Sequence, residues 1–508
     1  MGRDMHIAAK WRELALRHGA RAAIVDGRGI WSYQEFQSRI TRFGNALAGL
    51  GLRRGDRVAL LVPDMREYLE ADYAIMSAGF VRVPLDPRLT RAELTALLRH
   101  AGAAALVTHA SFAAATDGLA GDVEGLGHIV SVGGGAGLDY EALLQRSSER
   151  PLPDGDGGEL ASLNFSGGTT GAPKAAMLRH RNLMAVARNT IHGFGIGGDD
   201  VFLNVRPLWP VAQVILMSYL FAGATVLLRR FDPETFATLV REEGATRTSL
   251  VPTQLVRCLD HLRDRDGRLE RLEAIHVGGS RIPPAVFERA LERIGAKIGV
   301  LYGLTEAPVT SYLPPRALAG EAVRGRLIQS VGRVLDDYEV RIADGDESAV
   351  VGSGRAGEVL IRGGNVMAGY WRDDSATRAA LRDGWLHTGD IGELDDGGNL
   401  HIVGRLKEVI RSGSSTIVPK EVEDVIVLHP AVAEVAVIGL PDAEWGEAVT
   451  AFVVTKPGMS VAEHELVEHC RARLAGYKKP RSIRFVASLP RSHYGKVLRA
   501  QLIAQARK

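Results

Sequence analysis

Cysteine is nearly absent: Cys258 and Cys470 are the two in 508 residues. Two thiols exclude a disulfide framework and a four-thiolate zinc site. They are expected to be buried or idle thiols in a reducing compartment. An excess of one charge is also lacking, since 62 basic residues face 60 acidic ones and the net charge is +2. That balance argues against a chain whose main business is coating nucleic acid or an anionic membrane. It leaves room for a local basic pocket that takes a phosphate. Long uninterrupted apolar runs are missing too. The stretch from Val211 to Leu228 is broken by Gln213, Ser218 and Gly223, and is expected to be a buried helix and strand, with no membrane span. Met1 to Lys10 carries charges and no apolar core, so it does not read as a signal peptide. A soluble cytoplasmic protein is the expectation.

Hydrophobic residues make up 46% of the chain. A length of 508 residues corresponds to about three domain-sized units, or to one large body and a smaller one. From Arg57 onward, strand-like and helix-like patterns alternate. Arg57–Val62, Val81–Leu85 and Ala104–Thr108 read as strands, with helices at Arg66–Ala78 and Ala92–His100. The alternation returns between Ala224 and Val300, with strands at Thr248–Val251, Glu273–Val277 and Lys297–Val300. This predicts α/β layers with largely parallel sheets, in two subdomains of one body. After about Gly325, strands separated by Gly/Asp turns such as 395–398 predict an antiparallel, β-barrel-like section. A smaller α+β unit follows Gly404. The expected division is residues 1–403 and residues 404–508.

The densest local signal is Ser166-Gly-Gly-Thr-Thr-Gly-Ala-Pro-Lys174, after the apolar run Leu160–Phe165. Gly167, Gly168 and Gly171 let backbone approach an anion closely. Ser166, Thr169 and Thr170 add hydroxyl donors, and Lys174 adds a point charge. By composition this is either a phosphate-gripping loop or a flexible surface loop. Its spacing is not that of a Walker A loop.

The string resembles the phosphate loop of the adenylate-forming superfamily, which includes the acyl-CoA synthetases and other AMP-dependent ligases. Further segments resemble that family's motifs in order: Tyr302-Gly-Leu-Thr-Glu306, Gly357-Glu358 with Gly369-Tyr370-Trp371, Trp385-Leu-His-Thr-Gly-Asp390, Gly404-Arg405-Leu-Lys407, and Pro490-Arg-Ser-His-Tyr-Gly-Lys496. The resemblance spans roughly residues 20 to 505. It implies a large N-terminal AMP-binding body and a small mobile C-terminal lid.

The implied reaction joins a carboxylate to the α-phosphate of ATP, with pyrophosphate leaving, and then passes the acyl group to a thiol. Positioning and charge neutralisation dominate such chemistry. The resemblance implies that Ser166–Gly171 and Lys174 hold the phosphates, that Thr305 bonds near the α-phosphate, and that Glu306 ligates Mg²⁺, a hard cation suited to oxygen. Gly278, Gly279 and Ser280 would lie against adenine, with Tyr302 stacking on the base and Gly303 beside it. Asp390 would accept from the ribose hydroxyls, Arg405 would assist, Lys407 would be the hinge, and Lys496 would reach the reacting carboxylate. Trp209, Val211, Val277, Leu304, Pro308 and Val309 fall on segments lining the family's acid pocket, which implies an apolar or aromatic acid.

Departures from the family pattern bear on the second step. Pro210 stands where many CoA ligases carry histidine, Ser414 stands where they carry a second glycine, and Arg411 replaces a common lysine. CoA is the expected acceptor. A carrier-protein pantetheine, or an unusual nucleophile such as nitrite, is the alternative, and an inactive nucleotide-binding scaffold is a third possibility. The family includes monomers and homodimers. Lys496→Ala is expected to lower acid-dependent pyrophosphate exchange by ~10²–10³; unchanged exchange would remove Lys496 from the chemistry.

Overall fold

The computed structural model describes residues 6–166, 174–209, 212–263, 269–320, 325, 327–344, 353–413, 415–491 and 497–506. The described residues within Met1–Gly168, Ala172–Glu339 and Ile361–Leu386 form one compact unit, and those within Val340–Leu360 and His387–Lys508 form another.

The first unit contains two mixed sheets. One runs, edge to edge, through Leu138–Asp139, His128–Val132, Ala103–His109, Arg57–Leu61, Val81–Pro84, Leu160–Ser166 and Lys174–Arg179. Its neighbours are parallel except the last pair, where Phe165 faces Ala175 antiparallel. The other runs through Arg333–Val334, Ala307–Leu313, Ile298–Leu304, Ala274–Val277, Arg247–Leu250, Val201–Asn204, Thr225–Leu228, Ala22–Asp26 and Gly29–Ser32. Its middle is parallel and its two ends are antiparallel. The α/β alternation read from the sequence is therefore present twice. The hairpin at Ala22–Ser32 joins the second sheet through Thr225–Leu228, a long-range pairing that no local pattern announces.

Local chemistry sets the helices. Ser32 and Glu35 form a reciprocal capping box at the start of Tyr33–Gly49, and Thr90 with Glu93 does the same for Arg91–Ala101. Each box satisfies helix-end N–H groups that would otherwise lack partners. The apolar stretch divides into the helix Ala212–Phe221 and the strand Thr225–Leu228. That helix buries residues on every side, including Gln213 and Ser218. No described helix is long and apolar enough to cross a membrane. Cys258 and Cys470 are buried, unlinked thiols. Burial pushes Cys258 up to about 12 and Cys470 up to about 11, so neither supplies thiolate at neutral pH.

A charged cluster lies within the core. Arg82, on Val81–Pro84, pairs with Asp72 of the helix Arg66–Ser77 at 2.8 Å. Its guanidinium also donates to Ser162 Oγ at 3.0 Å, Asn164 Oδ1 at 2.8 Å and Gln213 Oε1 at 3.1 Å. Gln213 Nε2 returns to Asp72 Oδ2 at 2.6 Å. All five residues are sealed from solvent. Burial raises the Asp72 carboxyl above its ordinary value, and Arg82 opposes that rise.

A neutral counterpart lies in the second sheet. His276 meets the Tyr219 hydroxyl through Nε2 at 2.6 Å and the Tyr312 hydroxyl through Nδ1 at 2.9 Å. Phe194 stacks on Tyr312. Burial, followed by the positive charge of Arg247, lowers His276 to about 3.

The second unit begins with antiparallel strands. Trp385–Leu394 pairs with Leu400–Arg405 within a sheet that also holds Tyr338–Ala343, Gly357–Gly363 and Leu381–Arg382. A further sheet runs through Ser415–Ile417, Ile410–Ser412, Gly446–Thr455 and Val432–Asp442, with Ser482–Phe485 parallel to Gly446–Thr455. The helices Pro419–Ile426 and Glu463–Arg471 share its core through Val422, Ile426 and Leu466.

Two measurements test these cores. Arg82→Met strands a buried carboxylate and is expected to cost about 3–5 kcal/mol in urea unfolding; a loss within experimental error would show that the cluster is not structural. His276 is neutral in the fold and has an ordinary value of 6.5 when unfolded. Above pH 6.5 neither state binds its proton, and below it the unfolded chain does so first. Its contribution to stability therefore falls as pH drops from 6.5 toward 3, by up to ~1.4 kcal/mol per pH unit. His276→Gln should make the acid limb of the stability curve shallower by about one proton; an unchanged limb would refute this.

Candidate active site

The hairpin formed by Ile298–Leu304 and Ala307–Leu313 carries the Tyr-Gly-Leu-Thr-Glu motif. Thr305 and Glu306 are its turn, both half-buried. A Cβ at Gly303 would lie 2.4 Å from the Val309 nitrogen, so the chain can close this tightly only with glycine there. Across the hairpin, Tyr302 faces Ser311 and Leu304 faces Ala307. Val309 holds a φ of 48°, a left-handed conformation that is costly for a β-branched residue.

The segment at 367–371 fastens this turn to the strand Lys174–Arg179. Met367 N donates to Glu306 O at 2.8 Å, Met177 N to Gly369 O at 2.9 Å, and Trp371 N to Ala175 O at 2.8 Å. Tyr370 is thereby set between the two motifs. Its hydroxyl donates to Glu306 Oε1 at 2.8 Å, and Lys174 Nζ lies 5.2 Å from its ring centroid. That places the ammonium over the aromatic face at cation–π range. Burial, and then the negative charge of Glu306, push the Tyr370 phenol above its ordinary value, so it remains a donor.

Ser166 ends its strand with its backbone opposite Lys174. Gly167, Gly168, Thr169, Thr170 and Gly171 lie outside the described residues, as do Val211, Pro210, Ser414 and Lys496. Gly278, Gly279 and Ser280 follow directly on the strand Ala274–Val277, and Gly279 takes a φ of 90°. Among the residues expected to line the acid pocket, Val277, Pro308 and Val309 are buried and Leu304 is half-buried. Trp209 is half-buried and donates its indole N–H to Pro84 O at 3.0 Å.

In the other unit, Asp390 and Arg405 are direct cross-strand partners, joined at 2.8 Å between Oδ1 and Nε. Asp390 is buried and Arg405 is partly exposed. The turn at Thr388–Asp390 is held from two directions. Thr388 Oγ1 accepts from Asp390 N at 3.0 Å and donates to Val359 O at 2.7 Å. Glu358 accepts from Gly389 N at 3.0 Å and contacts His387 Nδ1 at 2.8 Å. Lys407 is exposed on the short turn Leu406–Glu408.

The structure thus brings Glu306 and Lys174 together, and brings Asp390 and Arg405 together. Tyr370, His387 and Glu358 were not singled out as site residues from sequence, although all three fall inside the quoted motifs. Their roles depend on cross-strand neighbours distant in the chain. Among the described residues no cluster of three His, Cys, Asp or Glu side chains forms a metal cage. A lone half-buried carboxylate such as Glu306 fits magnesium, which takes one or two protein carboxylates and fills its shell with phosphate oxygens and water.

Comparison with known proteins agrees with this arrangement. The family described as AMP-binding enzyme matches residues 11–371, and the AMP-binding enzyme C-terminal domain matches residues 421–496. A feruloyl-CoA synthase of Amycolatopsis is 35% identical over 491 residues, covering 96% of this chain and 95% of that protein. An indoleacetate–CoA ligase of Aromatoleum aromaticum is 34% identical, covering 97% of each chain. The crystal structure of ATP-bound MatB from Rhodopseudomonas palustris superposes with a TM-score of 0.91 at 29% identity, covering 99% of both chains. The chain belongs to the AMP-binding enzyme family, as its ordered motifs and their placement in the fold require.

Proposed function

We propose that this enzyme is an ATP-dependent acid–CoA ligase acting on carboxylic acids with a largely apolar or aromatic body. The observation that carries the reading is the junction of Glu306, Tyr370 and Lys174, which ties the turn after Tyr302 to the strand after the phosphate loop. A substrate carboxylate oxygen attacks the α-phosphorus of ATP, the α–β anhydride bond breaks, and pyrophosphate departs. The CoA sulfur then attacks the acyl carbon, AMP leaves, and the thiol proton passes to solvent.

Each residue has a place in that sequence. Lys174 offsets charge on the departing phosphates, with the loop from Ser166 to Gly171 around them. Tyr370 holds one oxygen of Glu306 in a fixed orientation, which leaves the carboxylate aligned without a search through rotamers. Glu306 would hold magnesium, and that ion, when bound, neutralises phosphate charge. Asp390 accepts from the ribose hydroxyls, and Arg405, paired with it at 2.8 Å, orients the carboxylate. Gly278–Ser280 and Tyr302 take the base. Lys496 neutralises the reacting carboxylate. Residues 404–508 act as the lid, turning at Lys407 so that the acceptor thiol can enter.

The feruloyl and indoleacetate relatives support an aromatic acid, and the apolar set Val277, Leu304, Pro308 and Val309 supports an apolar wall. The decisive experiment is a pyrophosphate-release screen over an acid panel, with and without CoA, with products identified by mass spectrometry. Acid-dependent pyrophosphate and a CoA thioester are expected. An acyl-adenylate with no thioester would instead assign transfer to a carrier-protein thiol or another nucleophile, in line with Pro210 and Ser414. No acid-dependent pyrophosphate would overturn the ligase reading.

A further inference from the structure

Among the described residues Arg206 has no counterion. It lies two residues beyond the carboxyl end of the strand Val201–Asn204, just before the Pro207–Pro210 segment. Among the described residues its side chain makes one hydrogen bond, from Nη1 to Ser249 Oγ at 3.1 Å. Among the described residues no carboxylate acts on it, and burial pulls it down, to about 10; it remains a cation at neutral pH. It is half-buried, and none of its nitrogens is among the sealed, partnerless polar atoms of the described residues. The guanidinium is crowded by protein yet open to solvent on its unbonded side. A guanidinium carries five N–H donors, so one bond to a hydroxyl leaves most of them available.

Its surroundings hold it in place. Asn204 Nδ2 donates to the Arg206 carbonyl at 2.8 Å. Leu208 N donates to Asp64 Oδ1 at 2.6 Å, fixing the chain on the other side. Ser249 donates its own hydroxyl proton to His276 O at 3.0 Å, so its lone pairs face the guanidinium. The registers Asn204↔Ser249 and Ser249↔His276 align three parallel strands at one level. Past that level lie Arg206, Gly278–Ser280 and, one strand further, Tyr302. Ligands of open α/β sheets bind beyond the carboxyl ends of parallel strands. The chain therefore places a cation with no counterion among the described residues at the carboxyl ends of the central parallel strands, next to the segment expected to line the acid pocket. An isolated half-buried charge is costly unless something pairs it, and a bidentate oxyanion is the matching shape for a guanidinium.

We propose that Arg206 is a specificity-determining residue that binds a second carboxylate, remote from the reacting one, on the substrate acid. The substrate class is then a dicarboxylic acid with an apolar or aromatic middle. This rests on the ligase reading and narrows it. The reacting carboxylate is consumed by adenylation, while the remote one stays paired with Arg206 through both steps.

Matched acids test this: octanoate against octanedioate, and 3-phenylpropanoate against 3-(4-carboxyphenyl)propanoate, in steady-state pyrophosphate release by the full chain. The dicarboxylates should be preferred by about 10²-fold or more in kcat/KM, because a site built around a charged partner rejects the analogue that lacks it. Arg206→Gln should abolish or invert that preference, with the change in KM for the acid and not in KM for ATP. Arg206→Lys should retain part of it, since charge survives but the fork does not. Ser249→Ala removes the one side-chain bond of Arg206 but keeps its guanidinium and should retain part of the preference, separating loss of the cation from loss of local contacts. Equal or better use of the monocarboxylates by the unaltered enzyme would overturn the Arg206 assignment while upholding the ligase. A rise confined to KM for ATP in Arg206→Gln would overturn it as well. Absence of pyrophosphate release with every acid would defeat the ligase reading itself, and this assignment with it.

Discussion

Arg82 and Asp72 are opposite charges in a core sealed from bulk solvent. Neither is tolerable there alone, so every element that supplies one of their hydrogen bonds is held in register. Those elements are the strand of Arg82, the helix of Asp72, the strand bearing Ser162 and Asn164, and the helix bearing Gln213. Asn164 stands two residues before Ser166, where the Gly/Thr-rich loop proposed to hold phosphate begins. Gln213 stands just after the Pro207–Pro210 segment. The cluster therefore sets where the loop leaves the first sheet and where the helix after that segment begins. An apolar core of equal volume would pack these layers with less directional control.

The second sheet uses a neutral version of the same device. His276 bridges Tyr219 and Tyr312, which lie on the helix after the Pro207–Pro210 segment and on the second arm of the Glu306 hairpin. One residue of small size makes room for it: a Cβ at Gly299 would lie 2.2 Å from the Tyr312 hydroxyl. The hairpin and the strand leading to Gly278–Ser280 are thereby kept at fixed spacing. Tyr370 completes the frame by joining the turn at Glu306 to Lys174.

Much of this was legible in advance where the signal was local. Apolar runs at Arg57–Leu61 and Ala103–His109, and helical spacing at Arg66–Ser77 and Arg91–Ala101, gave elements within a few residues of those observed. The strands Lys174–Arg179, Ala307–Leu313 and Trp385–Leu394 escaped notice. Each mixes glycine, threonine or charge with its apolar residues, and each is stabilised by a partner strand more than by its own pattern. The site followed the same division. Lys174, Glu306, Asp390 and Arg405 stand inside recognisable motifs. Tyr370 stands in one too, but its bond to Glu306 spans 64 residues and has no local trace. Arg206 carried no signal, because a lone arginine is ordinarily a solvated surface charge.

The sequence by itself determined the family, the order of its motifs, the α/β alternation and the residue types available to hold a nucleotide. These depend on short-range spacing, which is written directly in the chain. Only the tertiary structure decided which of those residues meet and which polar groups lose water. Arg82 and Arg206 are the same residue type, one inside a central strand and the other two residues past the end of one. One is sealed against Asp72 and builds the core; the other is half-buried and, among the described residues, its side chain bonds to Ser249 alone. The difference lies in what the rest of the fold brings to each guanidinium, because the cost of a charge is set by its surroundings, and those are assembled from segments far apart in the chain.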